Sequence, residues 1–79
     1  MKLKEKGVAL GAATLAGLFA LILHLIAVNT GAGADYIELV LPYHPGATLS
    51  TAGAFIHAFW MFIYGYASGW VFARVYNSA

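Results

Sequence analysis

The chain contains no cysteine, which excludes disulfides, thiolate metal sites and cysteine nucleophiles. Charge is almost as scarce. Four Lys or Arg and three Asp or Glu stand among 79 residues, against a hydrophobic fraction of 62%. A water-soluble domain needs far more charge to cover its surface, and at this length its core would be marginal. There is no basic stripe, so nucleic acid is not an expected partner. The three carboxylates, Glu5, Asp35 and Glu38, lie outside the long apolar stretches. No nucleophile stands beside a base at useful spacing, and no glycine-rich loop has phosphate-binding form. Neither an enzyme nor a metal site is expected.

What the chain does have is two long runs without a single Lys, Arg, Asp or Glu: Gly7 to Val28 and Thr51 to Ala73. A helix needs about 20 apolar residues to cross a hydrocarbon core of about 30 Å, so each run has length to spare for tilt. The expected fold is an all-α membrane protein, two transmembrane helices in an antiparallel hairpin with a short interfacial helix in the external loop. Its segments are 1–6, 7–28 (first span), 29–50 (loop), 51–73 (second span) and 74–79. The first run exceeds the 7–15 residues, roughly, of a signal-peptide core, although 31–34 (Gly-Ala-Gly-Ala) could be read as a cleavage site.

Orientation follows the positive charges. Lys2, Lys4 and Lys6 precede the first run and Arg74 follows the second, while the loop carries Asp35 and Glu38 with no Lys or Arg. Both termini are expected to face the cytoplasm, with Lys2, Lys4, Lys6, Trp70, Arg74 and Tyr76 anchoring the interface. In the loop, Asp35 with Glu38 three residues later reads as a capping box for a helix over 35–41. Pro42 ends that helix, Tyr43-His44-Pro45-Gly46 forms a turn, and Thr48, Ser50 or Thr51 caps the second span.

At 100° per residue, Ala9, Ala13, Ala16 and Ala20 share a face of the first span. Ala54, Ala58, Gly65 and Gly69 share one on the second, interrupted by Met61 and closed by Phe72. Lipid tails are as apolar as Leu, so burying Leu does not drive helices together; small residues let backbones approach and dispersion contacts then hold them. These faces can pack the two spans, or join copies of the chain.

Polar groups inside the runs are functional candidates. His24 and His57 fall at similar depth in an antiparallel pair. Each can hydrogen-bond its surroundings or ligate haem iron or chlorin magnesium, and Ala20-x-x-x-His24 has the spacing of a light-harvesting pigment ligand. His57, Tyr64 and Ser68 form a polar stripe, with Met61 on the same flank. That stripe lines a water path if copies assemble, or supplies interhelical bonds of at most about 2 kcal/mol each. Thr14 is expected to bond its own backbone.

The stretches GADYIELVLPYHPG and GAFIHAFWMFIYGYASGWVFARVYN carry a resemblance. With the apolar first span after a Lys-rich start, Ile37-Glu38-Leu39, Pro45-Gly46, Trp60, Gly65-x-x-x-Gly69 and Val75-Tyr76-Asn77, the chain resembles an uncharacterised family of short two-span prokaryotic membrane proteins. Its members are often labelled bacteriophage holin. The resemblance implies a homo-oligomer that opens pores or lesions in the cytoplasmic membrane. Two departures weigh against the holin label: Tyr64 stands where similar chains carry an acidic residue, so a charged pore wall is not expected, and the chain closes on RVYNSA, where many two-span holins have a charged tail. The alternative expectation is a small accessory subunit of a respiratory or photosynthetic membrane complex, with His24 or His57 contacting a haem or chlorin.

Overall fold

The computed structural model describes residues 2–79, and they fold as helices with no strand among them. Helix α1 runs Glu5–Thr30, α2 Ala34–Val40 and α3 Thr51–Ser78, with a 3₁₀ turn at Leu41–Tyr43 between α2 and α3. Helix α1 passes both ends of the expected 7–28, and α3 continues beyond 73 to Ser78. No proline or paired glycines fall at those ends to stop either helix earlier.

Helix α1 is long and apolar enough to cross a membrane, with mean hydropathy 2.2 over its most apolar stretch. Only 28% of that stretch is buried within the chain, whereas a core helix of a soluble domain is buried along most of its length. Helix α3 is the longer of the two, but His57, Trp60, Tyr64, Tyr66 and Ser68 lower its hydropathy. By that measure α1 alone among the described residues qualifies.

The two long helices pack side by side in opposite directions. Near one end, Gly69 of α3 meets Ala9 of α1; further along, Gly65 meets Ala13 and Ala16; beyond them Gly17 meets Ala58; and at the far end His24 meets His57. Ala9, Ala13, Ala20, Ala27, Ala54 and Ala73 are buried between them. A methyl group added at Gly65 would lie 2.7 Å from the Ala12 carbonyl oxygen and 2.9 Å from Ala13 Cα. This close approach is what the absence of a side chain permits. The buried α3 face closes on Ala73 rather than Phe72, which is 60% exposed: steps of four from Gly65 and Gly69 arrive at Ala73. Large residues point outward, among them Leu15, Phe19, Phe59 and Val75.

The chain ends meet at one end of this pair. Leu3 N–H donates to Asn77 Oδ1 and Asn77 Nδ2–H donates to the Leu3 carbonyl, both at 2.8 Å. Glu5 and Arg74 stand 3.6 Å apart beside them, and the Arg74 guanidinium lies 4.9 Å from the Trp70 ring centre. This end therefore gathers the lysine-rich start and Arg74.

At the other end, Gly31 caps α1 in the left-handed region (φ 80°), its N–H returning to the Ala27 carbonyl at 2.9 Å, as C-terminal glycines commonly do. The capping box expected at Asp35 does not form. Helix α2 starts one residue earlier, at Ala34, with Gly33 as its cap and no side-chain cap bond. The chain turns through Gly31 and Gly33, so Ile37 N–H already reaches the Gly33 carbonyl at 3.1 Å. Asp35 lies in the first turn instead, where its charge favours the helix dipole. Pro42 is accommodated in the 3₁₀ turn after Val40. Ile37, 1% exposed, is the buried anchor of α2.

Candidate functional site: a histidine cluster at the loop end

Ser50 opens α3. Its backbone is extended (φ −161°, ψ 169°) and its side-chain oxygen accepts from Gly53 N–H at 3.0 Å, the usual service of a helix cap. Of the three cap candidates it is Ser50 that takes the role. Gly53 packs directly on the Thr48 backbone, where any Cβ would overlap it. This contact pins the end of the loop against α3 and aims the Thr48 carbonyl at α1.

That carbonyl is the first fixed point of the site. It accepts from Ser50 N–H at 2.9 Å and meets His24 Nε2 at 2.9 Å. A carbonyl only accepts, so His24 Nε2 carries the hydrogen. In a neutral imidazole the other nitrogen is then bare. His24 Nδ1 lies 3.0 Å from His57 Nδ1, so His57 donates through Nδ1 and keeps Nε2 bare. The three groups form one directed chain, His57 to His24 to Thr48, joining α3, α1 and the loop.

A third histidine completes the cluster. His44, 4% exposed, follows the 3₁₀ turn. Its Nδ1 donates to the Val40 carbonyl at 2.7 Å, and its Nε2 faces Met61 Sδ at 3.3 Å. Its ring centre is 4.4 Å from that of His57, which is in turn 5.2 Å from that of His24. The loop is tied over the cluster by two more bonds: Trp60 Nε1–H donates to the Pro45 carbonyl at 2.9 Å, and the Tyr64 hydroxyl to the Tyr43 carbonyl at 2.7 Å. Between α1, α2, the 3₁₀ turn and α3 lies a cavity of about 300 Å³, bordered by Phe19, Ile37, His44, His57 and Met61.

No family model, curated protein or solved structure matches this chain. Its chemistry has to be read from the cluster itself.

His24 and His57 are brought together in direct contact. Both nitrogens of His24 are engaged, which leaves none for an axial bond to haem or chlorin, while His57 retains a bare Nε2. Ala9, Ala13, Ala20, Ala54, Gly65 and Gly69 lie buried between α1 and α3, with Ala16 and Ala58 half-buried at the edge of that contact. Of the polar stripe, His57 turns inward to His24, Tyr64 bonds the loop, and Ser68 is exposed. Thr14 returns its hydroxyl to the Leu10 carbonyl at 2.8 Å. Lys2, Lys4, Trp70, Arg74 and Tyr76 gather at the end holding the chain termini, with Lys6 exposed on the first turn of α1. Among the described residues no group of three or more His, Asp or Glu is placed to hold a metal ion.

Sequence reasoning missed His44, which stands in a turn rather than a run. The clue was the turn's own content: a histidine between an aromatic and a proline. It also missed Gly7 and Gly11, one turn apart on the outer side of α1; a Cβ at Gly11 would meet nothing within 4 Å.

Proposed function

We propose that this chain is an integral membrane protein of two spans, α1 and α3 forming an antiparallel transmembrane hairpin. In this reading the termini are cytoplasmic, the histidine cluster lies near the outer surface, and the hairpin serves as a small accessory subunit docked on the helices of a larger membrane assembly. The observation that carries it is where the polar groups go. His24, His57 and Tyr64 are all bonded within the chain, and no buried side-chain nitrogen or oxygen among the described residues lacks a partner. An aqueous path lined by His57 and Tyr64 would require breaking those bonds, whereas a docked subunit keeps them. The outward large apolar residues suit lipid and neighbouring helices. Lys2, Lys4 and Arg74 at one end, against Asp35 and Glu38 at the other, favour cytoplasmic termini.

The second reading is holin-like self-assembly. The small-residue faces, expected to pack the two helices or to join copies, lie between α1 and α3 of one chain. The outward Gly7-x-x-x-Gly11 step on α1 is the remaining small face, open to a neighbouring helix, and the family resemblance favours this reading.

The deciding experiment is gentle extraction from native membranes, followed by mass and an absorbance spectrum of the particle. A particle containing other polypeptides is expected. A colourless particle whose mass is a whole multiple of this chain overturns the accessory-subunit reading and leaves self-assembly, to be tested next by conductance.

A further inference from the structure

We propose that His44, His57 and Met61 form a binding site for one soft monovalent metal ion, Cu(I) in chemical class, at the loop end of the helix pair. The inference goes beyond the accessory-subunit reading and stands without it.

The tautomers derived above leave two lone pairs in search of an acceptor. In a neutral imidazole the one hydrogen of His44 goes to the Val40 carbonyl, so the nitrogen 3.3 Å from Met61 Sδ is then bare. A thioether sulfur has no hydrogen either. Two electron-pair donors thus face each other with nothing to share, a contact that an electron-pair acceptor would turn from repulsive to attractive. His57 Nε2 is the third. It has no hydrogen-bond partner, yet no sealed side-chain nitrogen among the described residues is unpartnered. This nitrogen is therefore not sealed, and His44, His57 and Met61 all border the one cavity.

The geometry suits a shared ion. With bonds of about 2.0 Å to nitrogen and about 2.3 Å to sulfur, lengths seen in zinc sites, a nitrogen–sulfur separation of 3.3 Å subtends about 100° at the metal. The second donor ring is 4.4 Å away between centres. Each imidazole also has the outer partner that metal-bound histidines have. Such rings usually donate their other N–H to a carbonyl or similar acceptor, which fixes tautomer and orientation. His44 uses the Val40 carbonyl, and His57 uses His24, itself held by Thr48.

The donor set names the metal class. Two neutral imidazoles and a thioether select a soft ion. Asp35 and Glu38, the two carboxylates of the loop, are exposed and border no part of the cavity, so nothing there offsets a second positive charge. One of the three donors is a sulfur, so the arrangement differs from a site of three imidazoles or carboxylates.

The test uses the full chain in detergent micelles under anaerobic conditions. Cu(I) is titrated against a chromophoric Cu(I) chelator, with Zn(II) as a second probe. We expect one Cu(I) per chain and Zn(II) at least 100-fold weaker. Met61→Leu, which keeps volume, should weaken Cu(I) at least 10-fold, and His44→Ala should abolish stoichiometric binding. In the unaltered chain, Ag(I) should shift the Met61 methyl resonance at one equivalent, a readout that needs no variant to fold. Three outcomes overturn the proposal: no Cu(I) held against the chelator, Zn(II) bound as tightly as Cu(I), or Cu(I) bound with the Met61 methyl unmoved. The last would also assign the His44–Met61 contact to plain packing.

Discussion

His57 Nδ1 and His24 Nδ1 meet at 3.0 Å across the contact between α3 and α1, and the hydrogen between them belongs to His57. That assignment follows from Thr48, whose carbonyl requires a hydrogen on His24 Nε2. Long-range nitrogen–proton NMR should therefore find His24 as the Nε2–H tautomer and His57 as the Nδ1–H tautomer. Finding both rings as Nε2–H would break the directed chain.

The same pair should show as a coupling energy. Replacing either histidine by Ala leaves the buried Nδ1 of the other without a partner, at about 1–3 kcal/mol. The double variant should cost less than the sum of the two, by about 0.5 kcal/mol or more. Reversible unfolding in mixed micelles gives the three values. Strict additivity would mean that the rings are neighbours without being bonded.

Gly65 sets the distance between the long helices. A methyl group there would press on the Ala12 carbonyl and Ala13 Cα, both backbone-fixed, at 2.7 and 2.9 Å. Gly65→Ala is expected to destabilise the pair by about 1–3 kcal/mol, the range for overpacking. Gly11→Ala meets nothing and should leave the pair unchanged or slightly more stable, since alanine favours helix. Equal effects at the two positions would remove Gly65 from the interface.

The helices and their small faces were legible because both depend on local composition: runs without charge, and alanines or glycines at steps of three and four. The fate of those faces was not. Periodicity shows that Ala13 and Gly65 seek a close neighbour, and it is silent on whether that neighbour is the same chain or a copy. Equal depth put His24 and His57 at one level of the pair, but not that their rings would face each other. The role of His44 was not legible, because it depends on the path of a loop that Gly31, Gly33 and Pro42 bend together. Asp35 shows the same limit in small: its spacing to Glu38 fits a capping box, but two left-handed glycines upstream start α2 one residue sooner.

Ser50 is the hinge between loop and α3. Ser50→Ala removes the oxygen that accepts from Gly53 N–H at 3.0 Å, and should cost about 1 kcal/mol. The Gly53 amide, now free, should exchange its hydrogen faster, while amides near Gly65 keep their rates. Unchanged exchange at Gly53 would show that the first turn of α3 does not depend on this cap.

Tyr64 separates the two readings of the polar stripe. Its hydroxyl donates to the Tyr43 carbonyl at 2.7 Å, and with Trp60 on Pro45 it holds the loop over the histidines. Tyr64→Phe keeps the ring and deletes only that bond. If the bond is a tether, amide exchange over residues 41–46 should rise several-fold, with little change in overall stability beyond about 1 kcal/mol. If Tyr64 instead lines a water path between copies, exchange in the loop should stay as it was and ion conductance should change. The present geometry predicts the first result, because the hydroxyl's hydrogen is already committed within the chain and His57, seven residues earlier, is turned toward His24 rather than outward.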